Sequence, residues 1–356
     1  MERKYYIDNV RWICILLLIP YHAAMCWNVW GETNYLFFGQ NTILSTFIWL
    51  ISPWYMPLLM VLAGASARYS LLRRTTAEFI KERIHKLLFP LLLGILIIVE
   101  PITYFADCYH NNYSGGYFEH YKIFFHRVTD LTGYDGGLTP GHLWFLLYLF
   151  IISLISLPII KYLKYQDVCE KTNLFVLLIA GFLPLIVNPV LNFGGKSAAA
   201  YLVFYLLGYY FISNNKFVTE KIVKYRIYYL FIFVLTAAFN IYAGLHELDS
   251  IVNTVVFHTS RWFGILTVLG FAKNNFDWHN KITEYLSKIS FQFYIFHYVW
   301  LTVFQFYFSR YTDKLIILFF VSIILTYLTS FATCEAIRKF KKIKLKINKR
   351  CGTILL

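Results

Sequence analysis

Long apolar stretches, separated by short basic segments, run along the whole chain. A bilayer core of about 30 Å requires about 20 mostly apolar residues in a helix. Ten stretches fit: Val10–Trp30, Ile43–Ala67, Leu87–Ala106, His142–Tyr162, Leu174–Leu191, Ala198–Ser213, Tyr228–Gly244, Ile251–Ala272, Ile289–Phe308 and Leu315–Ile337. Pro184 in the fifth and Gly208 in the short sixth interrupt the pattern most. The pattern predicts an all-α polytopic membrane protein with about ten transmembrane helices.

The composition agrees with this prediction. Of the residues, 58% are hydrophobic and 20% aromatic, and mean hydropathy is +0.55. Only 15% are charged, whereas a soluble domain has about 25%. The net charge is +14, and the charged residues cluster in short segments between the apolar stretches. No RNA-binding or zinc signature accompanies it, so the charge indicates membrane topology and argues against a nucleic-acid partner.

Lysine and arginine are distributed unevenly between the connecting segments. With a cytoplasmic N-terminus, ten spans place 26 of the 33 basic residues inside and five outside. Cytoplasmic loops carry such an excess. We therefore predict that both termini are cytoplasmic. Residues 1–338 would form one transmembrane domain, and 339–356 a basic cytoplasmic tail on anionic headgroups.

Two other features leave their roles open. The longest connecting segment, 107–141, is rich in His, Asp and Glu; long loops are often functional, but a polar surface connection fits equally well. The six cysteines are scattered and none forms a CxxC pair, so we expect neither a metal site nor a disulfide framework.

The first stretch contains polar residues that are costly in a membrane. Arg11 and His22 are 11 positions apart. On an α-helix they therefore lie about 20° apart around the axis, on one face, and about 16 Å apart along the axis. Asp8 precedes Arg11 by three positions, at ion-pairing distance on a helix. Pro20 permits a kink beside His22. A snorkelling anchor at Arg11 and a buried structural His22 are the alternatives, but their common face favours a functional site.

These residues occur in a recognisable block. "IDNVRWICILLLIPYH", from Ile7, resembles the opening helix of the acyltransferase family 3 membrane enzymes, in which an Arg precedes a His by eleven positions. Similar blocks follow: "WYMPLLMVLAGASARYSLLRRTTAEFIKERIHKLLFPLLLG" from Trp54, "GHLWFLLYLF" from Gly141 and "ISFQFYIFHYVW" from Ile289. The resemblance is strongest to the glucan biosynthesis protein C-like branch. Many members carry an extra extracytoplasmic hydrolase-like domain, and we expect this chain to act without one.

The resemblance implies an acyl-CoA donor in the cytoplasm and an acceptor that is often extracytoplasmic. We expect His22, with Asp8 and Arg11, to be catalytic, His22 acting either as general base or as transient acyl carrier. Arginines bind phosphate bidentately and stay charged at membrane depth. The candidates for binding the donor's phosphates are Arg11, Arg68, Arg73, Arg74 and Arg83.

Other polar residues within the apolar stretches are further candidates: Glu100, His258, Arg261 and His297. His258 and Arg261 are three positions apart on one helix face, so neither is expected to face lipid. We expect Glu100 to be a partner of His22 or Arg261. His142, beside Trp144, is expected at the membrane interface, in contact with headgroups.

The function favoured by these observations is a membrane-bound O-acyltransferase in a prokaryotic plasma membrane. It would move an acyl group, acetyl or succinyl, from acyl-CoA to a hydroxyl of a glycan or another extracytoplasmic acceptor, without a metal. The alternative is a proton-coupled transporter or permease that uses intramembrane His, Arg and Glu. Transporters often contain repeated halves, and we find none. The oligomeric state is open.

Overall fold

The chain is mostly helical. The computed structural model describes residues 4–129, 131, 133–213 and 215–352, with side chains up to residue 343. Its α-helices are α1 Tyr5–Met25, α2 Thr42–Ile51, α3 Tyr55–Leu71, α4 Thr76–Arg83, α5 Phe89–Gly94, α6 Glu100–His110, α7 Tyr117–His126, α8 Trp144–Tyr162, α9 Tyr165–Glu170, α10 Leu174–Ala180, α11 Leu183–Val187, α12 Ala198–Leu207, α13 Lys216–Lys224, α14 Arg226–Leu245, α15 Ile251–Asn275, α16 Lys281–Ser309 and α17 Ser322–Gly352. The all-α prediction is thus confirmed at the level of a helical membrane protein.

Shorter elements join these helices. Four π-helical turns occupy Ile84–Leu88, Ile95–Val99, Gly208–Ile212 and Ile316–Val321, and a 3₁₀ turn occupies Gly141–Leu143. The strands β1 (Asn192–Phe193) and β2 (Lys196–Ser197) form an antiparallel hairpin in which Phe193 pairs with Lys196. Gly194 and Gly195 connect them with φ of 54° and 74°. Two consecutive positive φ angles are those of a type I′ turn, and glycine adopts them without strain.

Six helical stretches within the described residues are long and apolar enough to cross a bilayer. They are Thr42–Leu71, Thr76–His110, Gly141–Tyr162, Arg226–Leu245, Ile251–Asn275 and Ile316–Ile343. Leu174–Val187 and Ala198–Ile212 are apolar but shorter. The helices α1 and α16 are long enough but less apolar, α1 because Asp8, Arg11 and His22 lie in it. All ten predicted stretches are therefore helical in large part, although only six satisfy both criteria.

Several predicted boundaries differ from the structure. Helix α1 ends at Met25, five residues before the predicted Trp30. The second stretch is divided into α2 and α3 by a turn at residues 52–54, where Pro53 has no backbone N–H to continue the helical hydrogen bonds. The fifth is divided into α10 and α11, with Pro184 in the first turn of α11, where its missing N–H costs nothing.

Two glycines allow α3 and α12 to approach closely. A Cβ atom at Gly64 would lie 1.8 Å from the carbonyl oxygen of Tyr205, and one at Gly208 would lie 1.9 Å from that of Val61. Backbone therefore packs directly on backbone, as small residues allow between membrane helices. This contact places α3, which carries Ser66 and Arg68, in the centre of the protein.

Helix α1 lies in the core and packs mainly on α16. At its N-terminal end, Asn9 donates hydrogen bonds to the carbonyls of Phe276 and Trp278 (2.7 and 2.9 Å). Further along, Tyr55 and Tyr327 donate hydrogen bonds to α1 carbonyls, at Cys14 and Leu16. These bonds hold α1 in a defined position relative to its neighbours.

Helix α17 runs through the boundary predicted at residue 338 and continues to Gly352. Arg338 forms an ion pair with Glu335 at 2.8 Å. Residues 353–356 of the predicted basic tail, and the side chains of 344–352, lie outside the described part of the chain. The headgroup contact of the tail stays a prediction.

Candidate active site

A cavity of about 360 Å³ lies beside His22. Its walls come from α1, the start of α3, α15 and α16, together with the 3₁₀ turn, the β1–β2 hairpin and residues 32–35. The lining residues that bear on its chemistry are His22, Tyr298, His142, Arg261, Lys196 and Glu32. A volume of this size is in the range of small-molecule sites.

His22 is partly exposed to this cavity. Its ring stacks on Tyr298 of α16, with centroids 4.2 Å apart and planes at 17°. Tyr298 is held by its hydroxyl, which donates to Oδ1 of Asn34 at 2.9 Å. Among the described residues, neither ring nitrogen of His22 has a hydrogen-bond partner. Stacking on Tyr298 therefore holds the imidazole ring in position, and both ring nitrogens are available to a molecule in the cavity.

Two further histidines lie beside His22. The ring of His297 is 5.5 Å from that of His22, and the ring of His142 is 5.5 Å from that of His297. Nε2 of His142 bonds the carbonyl of Ile295 (3.0 Å), and Nδ1 of His297 bonds that of Tyr294 (2.8 Å). A carbonyl only accepts, so in each ring the bonded nitrogen carries the proton. The other nitrogen of each is buried without a partner in the described structure.

His142 was expected to contact headgroups at the membrane interface, and the expected headgroup contact is wrong. It is 6% exposed, and the hydroxyl of Tyr294 donates to its carbonyl at 2.7 Å. His142 follows Gly141, which has a positive φ of 52°. A Cβ atom at position 141 would lie 2.8 Å from the Tyr35 hydroxyl. Trp144 suggested an interface, but "GHLWF" is one of the blocks that carry the family resemblance, and that signal could have identified His142.

Arg11 forms the contacts that its spacing predicted and one more. Nη1 lies 2.9 Å from Oδ1 of Asp8, and Nη2 donates to Oγ of Ser66 at 2.7 Å. Both Arg11 and His22 lie in the uninterrupted helix α1, so they are about 16 Å apart along its axis. The contact with Ser66 connects Arg11 to α3, about three turns from His22.

The other predicted phosphate-binding arginines contact different partners. Arg68 lies over the ring of Tyr165 (3.8 Å) and donates to the Tyr209 hydroxyl at 3.3 Å. Arg74 is paired with Glu82 at 3.3 Å. Arg83 lies 4.4 Å from the centre of the Phe79 ring, and Arg73 is exposed. Arg68 is thus held between two tyrosine side chains, on α3 two positions after Ser66, the partner of Arg11.

Glu100 has a different partner from the one expected. It is fully buried, and its Oε1 lies 3.0 Å from Nδ1 of His120 on α7. Nε2 of His120 lies 3.4 Å from Asp107, which in turn lies 3.5 Å from Arg127. The expectation that Glu100 pairs with His22 or Arg261 is therefore wrong. The sequence did not show that the segment after α6 folds back over it.

Arg261 lines the cavity, whereas His258, one turn earlier on α15, is buried at 3% exposure. Nε of Arg261 donates to the carbonyl of Pro53 at 3.1 Å. Lys196, on β2, also lines the cavity. The sequence did not point to it, because Lys196 lies in the connection between two apolar stretches and not within one of them. Within the described chain, no group of three or more His, Cys, Asp or Glu is arranged to hold a metal ion.

Comparison with known proteins agrees with the resemblance in the sequence. Glucans biosynthesis protein C of Escherichia coli K12 is 23% identical over 235 residues, which cover 58% of this chain and 57% of that protein. The chain thus aligns with a little over half the length of this relative. No solved structure gives a significant match. An acyltransferase domain of family 3 matches residues 4–335, nearly the whole sequence, and the chain belongs to the acyltransferase family 3.

Proposed function

We propose that this protein is a membrane O-acyltransferase that moves an acyl group from cytoplasmic acyl-CoA to a hydroxyl of an extracytoplasmic glycan or other acceptor. The observation that carries the proposal is the arrangement of α1. One continuous helix holds an arginine anchored to α3 at one end and a histidine in a cavity at the other. An acyl-CoA arm spans roughly 15–20 Å by ordinary bond lengths, close to that separation.

The protein would cross the plasma membrane ten times with both termini inside. Contacts at and beyond the ends of the predicted spans support this map, because residues assigned to one side contact one another. On the cytoplasmic side Tyr69 bonds the carbonyl of Ser213, and Tyr210 that of Leu163 (2.6 Å). On the outer side His110 bonds the carbonyl of Asn34 (2.8 Å), and Tyr148 that of Lys196 (2.8 Å).

On this map the cavity lies toward the outside of the membrane, and Arg11 and Arg68 lie toward the cytoplasm. Residues 32, 34, 35, 131, 134, 141 and 194–196 line the cavity, and all belong to segments assigned to the outside. Arg11 and Arg68 would bind phosphates of coenzyme A from the cytoplasmic side. Arg73 and Arg74 lie in the following connection and would assist. The acceptor hydroxyl would then reach the thioester from outside.

His22 is the proposed general base. Its accessible nitrogen takes the proton of the acceptor hydroxyl as the oxygen attacks the thioester carbonyl. The C–O ester bond forms, the C–S bond breaks, and the departing thiolate of coenzyme A takes the proton from His22. Stacking on Tyr298 holds the ring in place. The buried bases Nδ1 of His142 and Nε2 of His297 give the site further proton acceptors beside it.

Substitution of His22 tests the proposal. Purified His22→Ala in nanodiscs should lose kcat by about 10²–10⁴ with acetyl- or succinyl-CoA, as expected for loss of a general base, and should still bind the donor. His246→Ala, an exposed histidine at the end of α14, is the matched control and should keep wild-type turnover. Near wild-type turnover by folded His22→Ala would contradict the assignment.

A further inference from the structure

Arg261 places a guanidinium in the wall of the cavity. It lies on α15, in the middle of an apolar helix, where a charge is costly and is seldom present without a role. Its Nε donates to the carbonyl of Pro53, and its cation faces the rings of Phe257 (4.8 Å) and Phe204 (5.8 Å). One backbone bond and two aromatic rings therefore hold it in position.

The charge of this guanidinium is not matched by a carboxylate of the protein. Among the described residues, no Asp or Glu lies within ion-pairing distance of Arg261, and its Nη1 and Nη2 have no hydrogen-bond acceptor. Arginine stays protonated even at such sites. With Nε committed to Pro53, the two terminal nitrogens are the donors that remain for a ligand.

The cavity wall contains a second basic residue besides Arg261. Lys196 adds a second cation from the β1–β2 hairpin; its Nζ bonds the Gly194 carbonyl at 3.2 Å and lies 5.5 Å from the centre of the Trp144 ring. Glu32 is the one acid among the described residues that line the cavity, and it accepts a hydrogen bond from Trp30 at 2.9 Å. Low-dielectric walls strengthen the attraction of such a site for anions.

We propose that Arg261 binds an anionic group of the substrate, a carboxylate or a phosphate, within the cavity beside His22. This rests on the proposed function, because it takes the cavity as the place of acyl transfer. The planar guanidinium matches both groups through parallel N–H···O bonds. The anion has two sources: a dicarboxylic acyl group of the donor, or an acidic substituent of the acceptor.

Two pairs of probes distinguish these sources, with equilibrium binding measured on the full chain in nanodiscs. Succinyl-CoA and acetyl-CoA differ in the terminal carboxylate of the acyl group. Glucose 1-phosphate and glucose differ in a phosphate on the acceptor side. The variants are Arg261→Gln, which removes the charge, and Arg261→Lys, which keeps it. Arg310→Gln is the matched control, since Arg310 also lies over an aromatic ring, Phe306 at 4.6 Å, but is exposed and away from the cavity.

We expect the wild type to bind the anionic member of one pair about 10–150-fold more tightly, the range of one charge-assisted hydrogen bond. Arg261→Gln should abolish that preference, Arg261→Lys should keep part of it, and Arg310→Gln should keep all of it. The pair that shows the preference identifies the source. Equal affinities within both pairs, or a preference that persists in Arg261→Gln, would overturn the proposal.

The outcome separates this inference from the proposed function. If neither thioester binds but glucose 1-phosphate is preferred through Arg261, the anion site stands and the acyl-CoA proposal fails. If acetyl-CoA and succinyl-CoA bind equally and glucose 1-phosphate has no advantage, the anion site fails alone. Should Arg261→Gln not fold, the wild-type comparison and Arg261→Lys decide the matter.

Discussion

Single backbone carbonyls determine the chemistry of the two histidines beside His22. The carbonyls of Ile295 and Tyr294 each fix one ring nitrogen of His142 and His297 as a donor. The remaining nitrogens are therefore bases without a partner in the described structure. Buried polar atoms of this kind are rare in folded proteins, and their concentration around His22 is what distinguishes this cavity at the residue scale.

Glu100 illustrates the opposite situation. Its buried carboxylate is bonded to His120, and Asp107 and Arg127 extend the network. The network connects α6 to α7 and to the segment that follows, so Glu100 holds the connection after α6 in place and does not contact His22.

Replacement of Arg68 should affect donor binding more than chemistry. A residue that binds coenzyme A phosphate contributes alike to ground and transition states, so Arg68→Ala should raise KM for acyl-CoA about 10–150-fold and leave kcat nearly unchanged. Steady-state kinetics in nanodiscs measure both. Arg338→Ala is the control, because Arg338 also faces a tyrosine ring, Tyr285 at 5.2 Å. A fall in kcat at constant KM would place Arg68 in the chemical step.

At the scale of elements, α1 and α3 set the distance over which the enzyme works. Helix α1 fixes the separation of Arg11 and His22 by its rise alone. Helix α3 holds Arg11 through Ser66 and contributes Arg68 two residues further on. Its position depends on the direct contact of Gly64 with the backbone at Tyr205.

Gly64→Ala should therefore destabilise the protein. The new methyl would lie 1.8 Å from the Tyr205 carbonyl oxygen, and α3 and α12 would have to separate. Overpacking of this kind costs about 1–3 kcal/mol, so the Tm in detergent should fall. Gly94→Ala is the control, since its methyl meets only the end of the flexible Leu143 side chain. Equal Tm values for the two variants would show that the helix contact tolerates expansion.

At the scale of the whole molecule, the cavity lies toward one end of the helical bundle, and Arg11 and Arg68 lie toward the other. The cavity is lined by connecting segments that include the β1–β2 hairpin, whereas Arg11, Arg68 and the turn at 276–278 lie toward the other end of α1. The proposed transfer across the membrane requires this separation.

Cysteine labelling tests the orientation. Asn112→Cys and Lys342→Cys, in a chain whose Cys108, Cys169 and Cys351 are replaced by serine, should react from opposite sides of intact cells. In intact cells, a membrane-impermeant maleimide should label position 112 and not position 342. Position 342 should become labelled after permeabilisation. Labelling of both positions from one side would contradict the ten-span map and the depth assigned to His22.

The sequence by itself determined the helical membrane class, the first helix with its Asp8–Arg11 pair, and the spacing of Arg11 and His22. These follow from local causes: apolar length sets a membrane helix, and the helical repeat sets phase and rise along one element. The family resemblance follows in the same way, because it rests on contiguous blocks of residues.

Only the tertiary structure decided which elements surround His22. Neighbours of α1 come from positions more than 100 residues away, as His142, Arg261 and Tyr298 show, and no periodicity along one helix specifies contacts with another. The same reason explains the two wrong expectations. Glu100 pairs with His120 because α7 folds back on α6, and His142 is buried because α16 supplies the carbonyl of Ile295 and the hydroxyl of Tyr294.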